Sequence, residues 1–332
     1  VFFSYAKEQQ LDPEYLSKSR ELVPFCENGN MLNLCYSIYN PNFKQKIMRF
    51  FTLVCCIISS IAFAQKPLIN YHAVSYKLYS TINKTTYRLG VSLPKEYNAK
   101  KKYPVLYMLD GYYASEIAHG THKTLKFFEE IDDLILVTIE GTAVTNKDWF
   151  TKRWSELTFT KFPTYDSTTS IMEGIPAPGL KSGDGKRFLN VIKNEIIPFI
   201  EKKYATNGHR GLSGHSLGGL FTANVLFHSP ELFDHYAINS PSFVDWNKND
   251  ILLAEKEFAS KHKSLPVKVF LSYGQLEDEE GIQNMKNIAT LFKSHYPDME
   301  IKLVLFDDEG HASVIPAMIS KSIRYLYERK IK

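Results

Sequence analysis

In the stretch RGLSGHSLGGLFTANVLF, Gly214, Gly218 and Gly219 crowd around Ser216, between a short strand-like segment and an apolar helical run. Gly214-His215-Ser216-Leu217-Gly218 fits G-x-S-x-G, in which a serine occupies a strained strand-to-helix turn that lifts its Oγ clear of the sheet. Glycine two positions to either side suits that turn, because a Cβ there would strike the neighbouring strand or helix. Gly219 would let the helix approach the sheet closely. The start of an amphipathic helix after the serine aims free N–H groups and a partial positive charge at its oxygen. The competing reading is a plain tight turn; the strand–turn–helix setting favours a nucleophile.

A serine hydroxyl needs a base, and in folds built on such an elbow the partners follow in the order acid, then histidine. Only His228, His235, His262, His295 and His311 follow Ser216. The first four fall at helix ends or at the start of a strand and read as surface or packing residues. His311, in DDEGHASVIP, directly follows the last strand-like segment and precedes a helical one, the position expected of a general base. The acid should follow the preceding strand, where VFLSYGQLEDEEG offers Glu277, Asp278, Glu279 and Glu280. Most of such a run is a solvated face; Glu277 is the first choice and Asp278 the second. Two backbone N–H groups would hold a developing oxyanion. Leu217, next to the serine, supplies one. The turn after YPVLYMLDG supplies the other, with Tyr112 the first choice and Gly111 the second.

The elements that must position these residues alternate along the chain. NYHAVSYKLYS and TTYRLGVSLP alternate in strand fashion around TINK and predict an antiparallel hairpin. YPVLYMLD (103–110) and LILVTIE (134–140) are continuous apolar runs, the mark of strands buried on both faces. Further strands are expected at HRGLSG, 235–240, 267–274 and 300–308. Helices are expected at 114–130, 188–204, 217–228, 250–262, 281–295 and 313–328. Strands spaced by helices predict an α/β fold with a mostly parallel central sheet covered on both faces. Residues 141–186, rich in Thr, Ser, Gly and Pro, read as a long irregular insertion of the kind that walls a site.

Composition excludes several classes. The chain has 332 residues, is 44% hydrophobic, and carries a formal net charge of +4, too slight a basic excess to imply nucleic acid. Cys26, Cys35, Cys55 and Cys56 all lie near the start, so the body from Gln65 onward can hold neither a disulfide framework nor a cysteine nucleophile. KQKIMRFFTLVCCIISSIAFAQ has a basic region, an apolar run over 50–63 too short for the ~20 residues of a membrane span, and Ala62 and Ala64 before Gln65. Those are the parts of a secretory signal peptide over 48–64. Translation from Met48, with residues 1–47 not part of the native protein, would place that signal at the true start. The domain would then be 65–332, periplasmic or secreted, with no stable membrane insertion once the signal is removed.

The body resembles the "putative esterase" family of α/β-hydrolases, which includes the enterochelin (ferric-siderophore) esterases, the esterase D group and the mycolyltransferases. The resemblance runs from about Tyr71 to Tyr327. It is carried by YPVLYMLDG, RWSELTFT (153–160), FLNVIKNEIIPFIEKKY, LSGHSLGGLF, SPELFDHYAINSPSFVDWN and EGHASVIP. Within the family it is closest to the siderophore-esterase branch, in its Arg-x-x-acidic-x-Thr and Ser-Pro-Ser segments. It departs at Phe159, where the branch often has proline, and at Val244-Asp245, where two tryptophans often stand.

The resemblance implies an α/β-hydrolase fold with Ser216, His311 and Glu277 as the triad. It places Arg153 near the pocket, either on an anionic substrate such as a catecholate siderophore or paired with Glu156. The implied activity is a serine carboxylesterase working through an acyl-enzyme, without metal or organic cofactor, on a small-molecule ester such as a siderophore or an acylated sugar. Transfer of the acyl group to a sugar or lipid alcohol, and cleavage of a thioester such as S-formylglutathione, are the alternatives on the same scaffold.

Overall fold

The computed structural model describes residues 73–329, except residue 244 and the side chains of 245–249, together with Gln45 and Met48 upstream. The expected signal segment, Met48 aside, lies outside the described residues. Everything below belongs to the second of the chain's two units, Asn70–Lys332.

Strands β1 (Val74–Ser80) and β2 (Thr85–Ser92) form the antiparallel hairpin that their alternation predicts, with Ser80 facing Thr85 at the turn. β2 runs antiparallel to β4 (Ile135–Gly141), and β4 runs parallel to β3 (Tyr103–Met108). Beyond β3 come β5 (Thr206–His215), β6 (His235–Asn239), β7 (Lys268–Gly274) and β8 (Glu300–Phe306), all parallel, so the sheet order is β1-β2-β4-β3-β5-β6-β7-β8. The order reverses at β3, which has β4 on one side and β5 on the other. The crevice outside the strand ends at such a reversal is where open α/β sheets bind ligands.

The apolar runs bury both faces of the sheet. Val105, Tyr107 and Leu109 enter one core with Phe188, Ile192, Leu220, Phe221 and Met285, while Leu106 and Met108 enter the other with Ala118, Leu125, Met318 and Ile323. The second core is covered by α1 (Gly111–Phe127) and by α9 (Val314–Tyr327). The first is covered by α2 (Asn146–Glu156), α4 (Gly185–Val191), α5 (Ile197–Lys203), α6 (Leu217–His228), α7 (Asp245–Lys261) and α8 (Glu279–His295). Each large apolar side chain removed from water contributes about 1.5–3 kcal/mol, and this burial is what fixes the strand ends at which the site is built.

Three elements differ from the sequence reading. The helix after Ser216 is not amphipathic: every residue from Leu217 to Phe227 is buried. The insertion and α7 cover its outer side, with Phe159 against Phe221 at 5.4 Å and Phe227 against Phe258 at 5.9 Å between ring centroids. The stretch 188–204 is one helical passage with a π turn at Ile192–Ile196. It widens just before Pro198, whose ring would otherwise meet the carbonyl four residues back. Finally, 141–186 is not irregular throughout. It contains α2, opened by a capping box between Thr145 and Asp148, and α3 (Pro163–Met172), opened by its proline. Asp166 of α3 ties the insertion together by accepting from Trp154 Nε1 at 2.7 Å and from the Ser182 N–H at 3.1 Å.

Candidate active site

Ser216 stands between β5 and α6 with φ 59° and ψ −121°, a backbone that L-residues rarely adopt and that functional turns retain. The glycines around it are steric requirements. A Cβ on Gly214 would overlap the Gly218 carbonyl, and one on Gly218 would lie 2.7 Å from Asp110 Oδ2. The turn is held by the Ser216 N–H donating to the Asn239 carbonyl at 3.0 Å and by the Ser242 N–H donating to the Ser216 carbonyl at 3.1 Å. The Ser216 hydroxyl is 3.0 Å from the Ser242 hydroxyl.

His311 follows β8 and is half exposed, while Glu277 follows β7 and has a buried side chain. His311 Nδ1 lies 2.5 Å from Glu277 Oε2. The other Glu277 oxygen accepts from the Gly274 N–H at 2.8 Å and from the Ser240 hydroxyl at 2.6 Å. A buried carboxylate needs that satisfaction, and it fixes the direction in which Glu277 presents its second oxygen. Asp278 has another task. It caps α8, accepting from the Gly281 N–H at 2.6 Å and from the Tyr273 hydroxyl at 2.7 Å. Glu277, not Asp278, is therefore the acid that meets the imidazole.

The elbow and the His311–Glu277 pair adjoin. The ring of His215, the residue before Ser216, lies 4.5 Å from the ring of His311 between centroids. In this structure the Ser216 hydroxyl bonds to Ser242 rather than to His311; catalytic hydrogen bonds commonly tighten only when substrate is bound. Burial, then the proximity of His311, then that of Arg153 push the His215 pKa down to about 3. A neutral ring there adds no positive charge beside His311.

The two expected N–H donors sit at helix starts. Leu217 opens α6, where the first intrahelical bond runs from the Leu220 N–H, and Tyr112 is the second residue of α1, whose first bonds come from Tyr113 and Ala114. Neither the Leu217 nor the Tyr112 N–H has an acceptor among the described residues. The Tyr112 ring stacks on Trp149 at 5.2 Å, and its hydroxyl donates to Asn146 Oδ1 at 2.7 Å.

Arg153 is placed differently from either expectation. Its Nε donates to Asp110 Oδ1 at 2.6 Å, and its Nη2 donates to Asp110 Oδ2 and to the His215 carbonyl, each at 2.9 Å. It lines the pocket beside Tyr112 and Trp149, but its fork engages Asp110 and neither an open anion site nor Glu156. Glu156 instead accepts from the Tyr87 hydroxyl at 2.5 Å and from Asn83 Nδ2 at 3.1 Å.

Ser240, Ser242, Asp110, Tyr113 and His215 escaped the residue-by-residue reading. The Ser-Pro-Ser segment signalled the first two, since a short polar run following β6 lies at the same sheet end as the elbow. Nothing local marked the others. An open cleft beside His311 is lined by Tyr165, Pro241, Ser242, Phe243 and Tyr273. Among the described residues no three His, Cys, Asp or Glu side chains form a group that could hold a metal ion, and no helix is long and apolar enough to cross a membrane.

A family model described as "Putative esterase" matches residues 80–296, more than half of the chain. The chain belongs to this esterase family. It is a carboxylic ester hydrolase with the α/β-hydrolase fold. The ferri-bacillibactin esterase BesA of Bacillus subtilis is 28% identical over 251 residues, covering 72% of this chain and 84% of the relative. A siderophore enterobactin esterase of Emericella nidulans is 30% identical over 184 residues, 46% of this chain and 59% of the relative. Among solved structures, the BES protein of Bacillus cereus superimposes with a TM-score of 0.67 at 27% identity, covering 80% of this chain and 99% of that one. The shared fold thus extends over four fifths of this chain and nearly all of that neighbour.

Proposed function

We propose that this esterase is a siderophore esterase of the enterochelin type, cleaving its ester bonds by a serine acyl-enzyme mechanism. Ser216 Oγ attacks the ester carbonyl carbon as His311 Nε2 takes its proton. Glu277 holds Nδ1 and stabilises the imidazolium. The carbonyl oxygen, now an oxyanion, is received by the N–H groups of Leu217 and Tyr112. Collapse expels the alkoxide, which His311 protonates, and leaves the acyl group on Ser216. Water, deprotonated by His311, then attacks the acyl-enzyme and releases the acid. To begin the cycle, the serine hydroxyl turns from Ser242 towards the imidazole.

The observation that carries this reading is the 2.5 Å contact between His311 Nδ1 and Glu277 Oε2, beside a serine held at φ 59°. That contact leaves Nε2 as the nitrogen available to a nucleophile. The siderophore assignment rests on the names of the relatives and on two aromatic surfaces, Tyr112 stacked on Trp149 and the cleft of Tyr165, Phe243 and Tyr273 beside His311. The proposal also includes export by a signal peptide over 48–64; N-terminal sequencing of the mature protein should then find Gln65 or a neighbour.

The test is a substrate panel: a ferric triscatecholate trilactone, a feruloyl sugar, an acetylated sugar and a short acyl ester, each with the Ser216→Ala variant as control. The trilactone should have a kcat/KM at least tenfold above the others, and Ser216→Ala should lose nearly all turnover. Faster cleavage of a sugar ester would overturn the siderophore assignment. Retained turnover in the alanine variant would overturn the mechanism.

A further inference from the structure

We infer that the buried Arg153–Asp110 ion pair is a positioning device that sets the two halves of the oxyanion hole relative to each other. The inference rests on the reading of Leu217 and Tyr112 as the oxyanion donors. Those donors come from separate turns, one after β3 and one after β5, beyond the last bond between the two strands, from the Leu109 N–H to the Ser213 carbonyl. One guanidinium reaches both. Arg153 Nε and Nη2 grip the two oxygens of Asp110, the residue before α1, and Nη2 also donates to the carbonyl of His215, the residue before Ser216.

Four further observations point the same way. Asp110 has φ 58° and ψ 35°, a left-handed backbone that few residues other than glycine, asparagine and aspartate adopt. Its carboxylate occupies the space beside Gly218, where a Cβ would come within 2.7 Å of Oδ2. Hence Gly218 serves the ion pair as well as the elbow. Tyr113 closes the circuit: its hydroxyl donates to Asp110 Oδ2 at 3.2 Å and lies 3.0 Å from His215 Nδ1. Both charged side chains are almost wholly removed from water, 7% exposed for Arg153 and 3% for Asp110, which makes their mutual geometry stiff. A planar fork gripping a carboxylate at two points fixes orientation as well as distance, which a point charge does not. Arg153 is thus brought by α2 of the insertion, so the segment that walls the pocket also sets the catalytic backbone.

The experiment uses Arg153→Lys, which keeps the charge and loses the fork, and the charge-neutral pair Asp110→Asn with Arg153→Met, which leaves no unpaired buried ion. Each is compared with the unaltered protein on a p-nitrophenyl ester and on its thionoester, whose sulfur is a poor hydrogen-bond acceptor. Active serines are counted by fluorophosphonate labelling to completion. Removing a whole oxyanion donor lowers kcat by about 10²–10³. Misplacing one should lower ester kcat at least tenfold per labelled serine, with KM within about threefold and a clearly smaller fall on the thionoester. An unchanged kcat, or equal falls on both substrates, in variants that still label would overturn the inference. If neither variant folds well enough to label, the pair is a scaffold element and the inference also fails. Turnover by Ser216→Ala would instead remove the underlying mechanism, so the two failures are separable.

Discussion

The two halves of the site are built in opposite ways. The serine half is interior. Its turn is strained, its helix is buried on every side, and an ion pair lies beneath it. The base half is peripheral: His311 is half exposed and is held by Glu277, which is itself fixed by a backbone N–H and a serine hydroxyl. On the proposed mechanism, the backbone that carries the nucleophile and the oxyanion donors is the fixed part, and the group that gains and loses a proton stays near water. Substitutions in the serine half should therefore disturb folding and catalysis together, and those in the base half catalysis alone.

The largest effect should come from His311→Gln, with kcat falling by about 10³ or more while the unfolding temperature stays within about two degrees. A large loss of stability would break the comparison. Glu277→Gln should follow, lowering kcat by about 10²–10⁴, again with little change in folding. On the other side, Gly214→Ala places a methyl group on the Gly218 carbonyl. It should destabilise the protein by about 2 kcal/mol or more in urea unfolding and lower kcat as well. Asp278→Ala sharpens the distinction between the neighbouring acids. It removes a helix cap and should cost about 1 kcal/mol, with kcat within about threefold of the unaltered protein.

The last effect is a dependence of stability on pH. Burial, with His119 and Lys126 adding to it, lowers the His122 pKa to about 4, and burial likewise holds His215 near 3. Both rings are neutral in the folded protein and take up a proton near pH 6.5 when unfolded. The unfolded state thus binds more protons below that value, and stability falls as pH drops from about 6.5 toward 4, by about 1.4 kcal/mol per pH unit per ring. Urea unfolding at pH 7, 6 and 5 should show this slope, reduced in His122→Gln; an unreduced slope would show that His122 is not the source.

The sheet was legible because most of its strands are continuous apolar runs or alternations, and β5 and α6 because Gly and Ser punctuate the turn between them. Glu277 and His311 could be placed by their strand ends alone, although choosing Glu277 over Asp278 required seeing Asp278 cap α8. What was illegible is contact between segments far apart in the chain. Arg153 meets Asp110, which sits at the end of another strand and carries no local mark of a partner. Helix α3 of the insertion lacks an apolar stripe, and its Asp166 is held to Trp154 of α2 through a hydrogen bond that no periodicity shows. That α6 is buried on its outer side depends on Phe159 and Phe258, brought over it from elsewhere.

The most direct test is to treat the folded protein with a fluorophosphonate and locate the adduct by peptide mass spectrometry. The account predicts one adduct per chain, on Ser216, formed far more slowly in His311→Gln and accompanied by complete loss of ester turnover. An adduct on another residue, or full ester turnover with Ser216 modified, would contradict it.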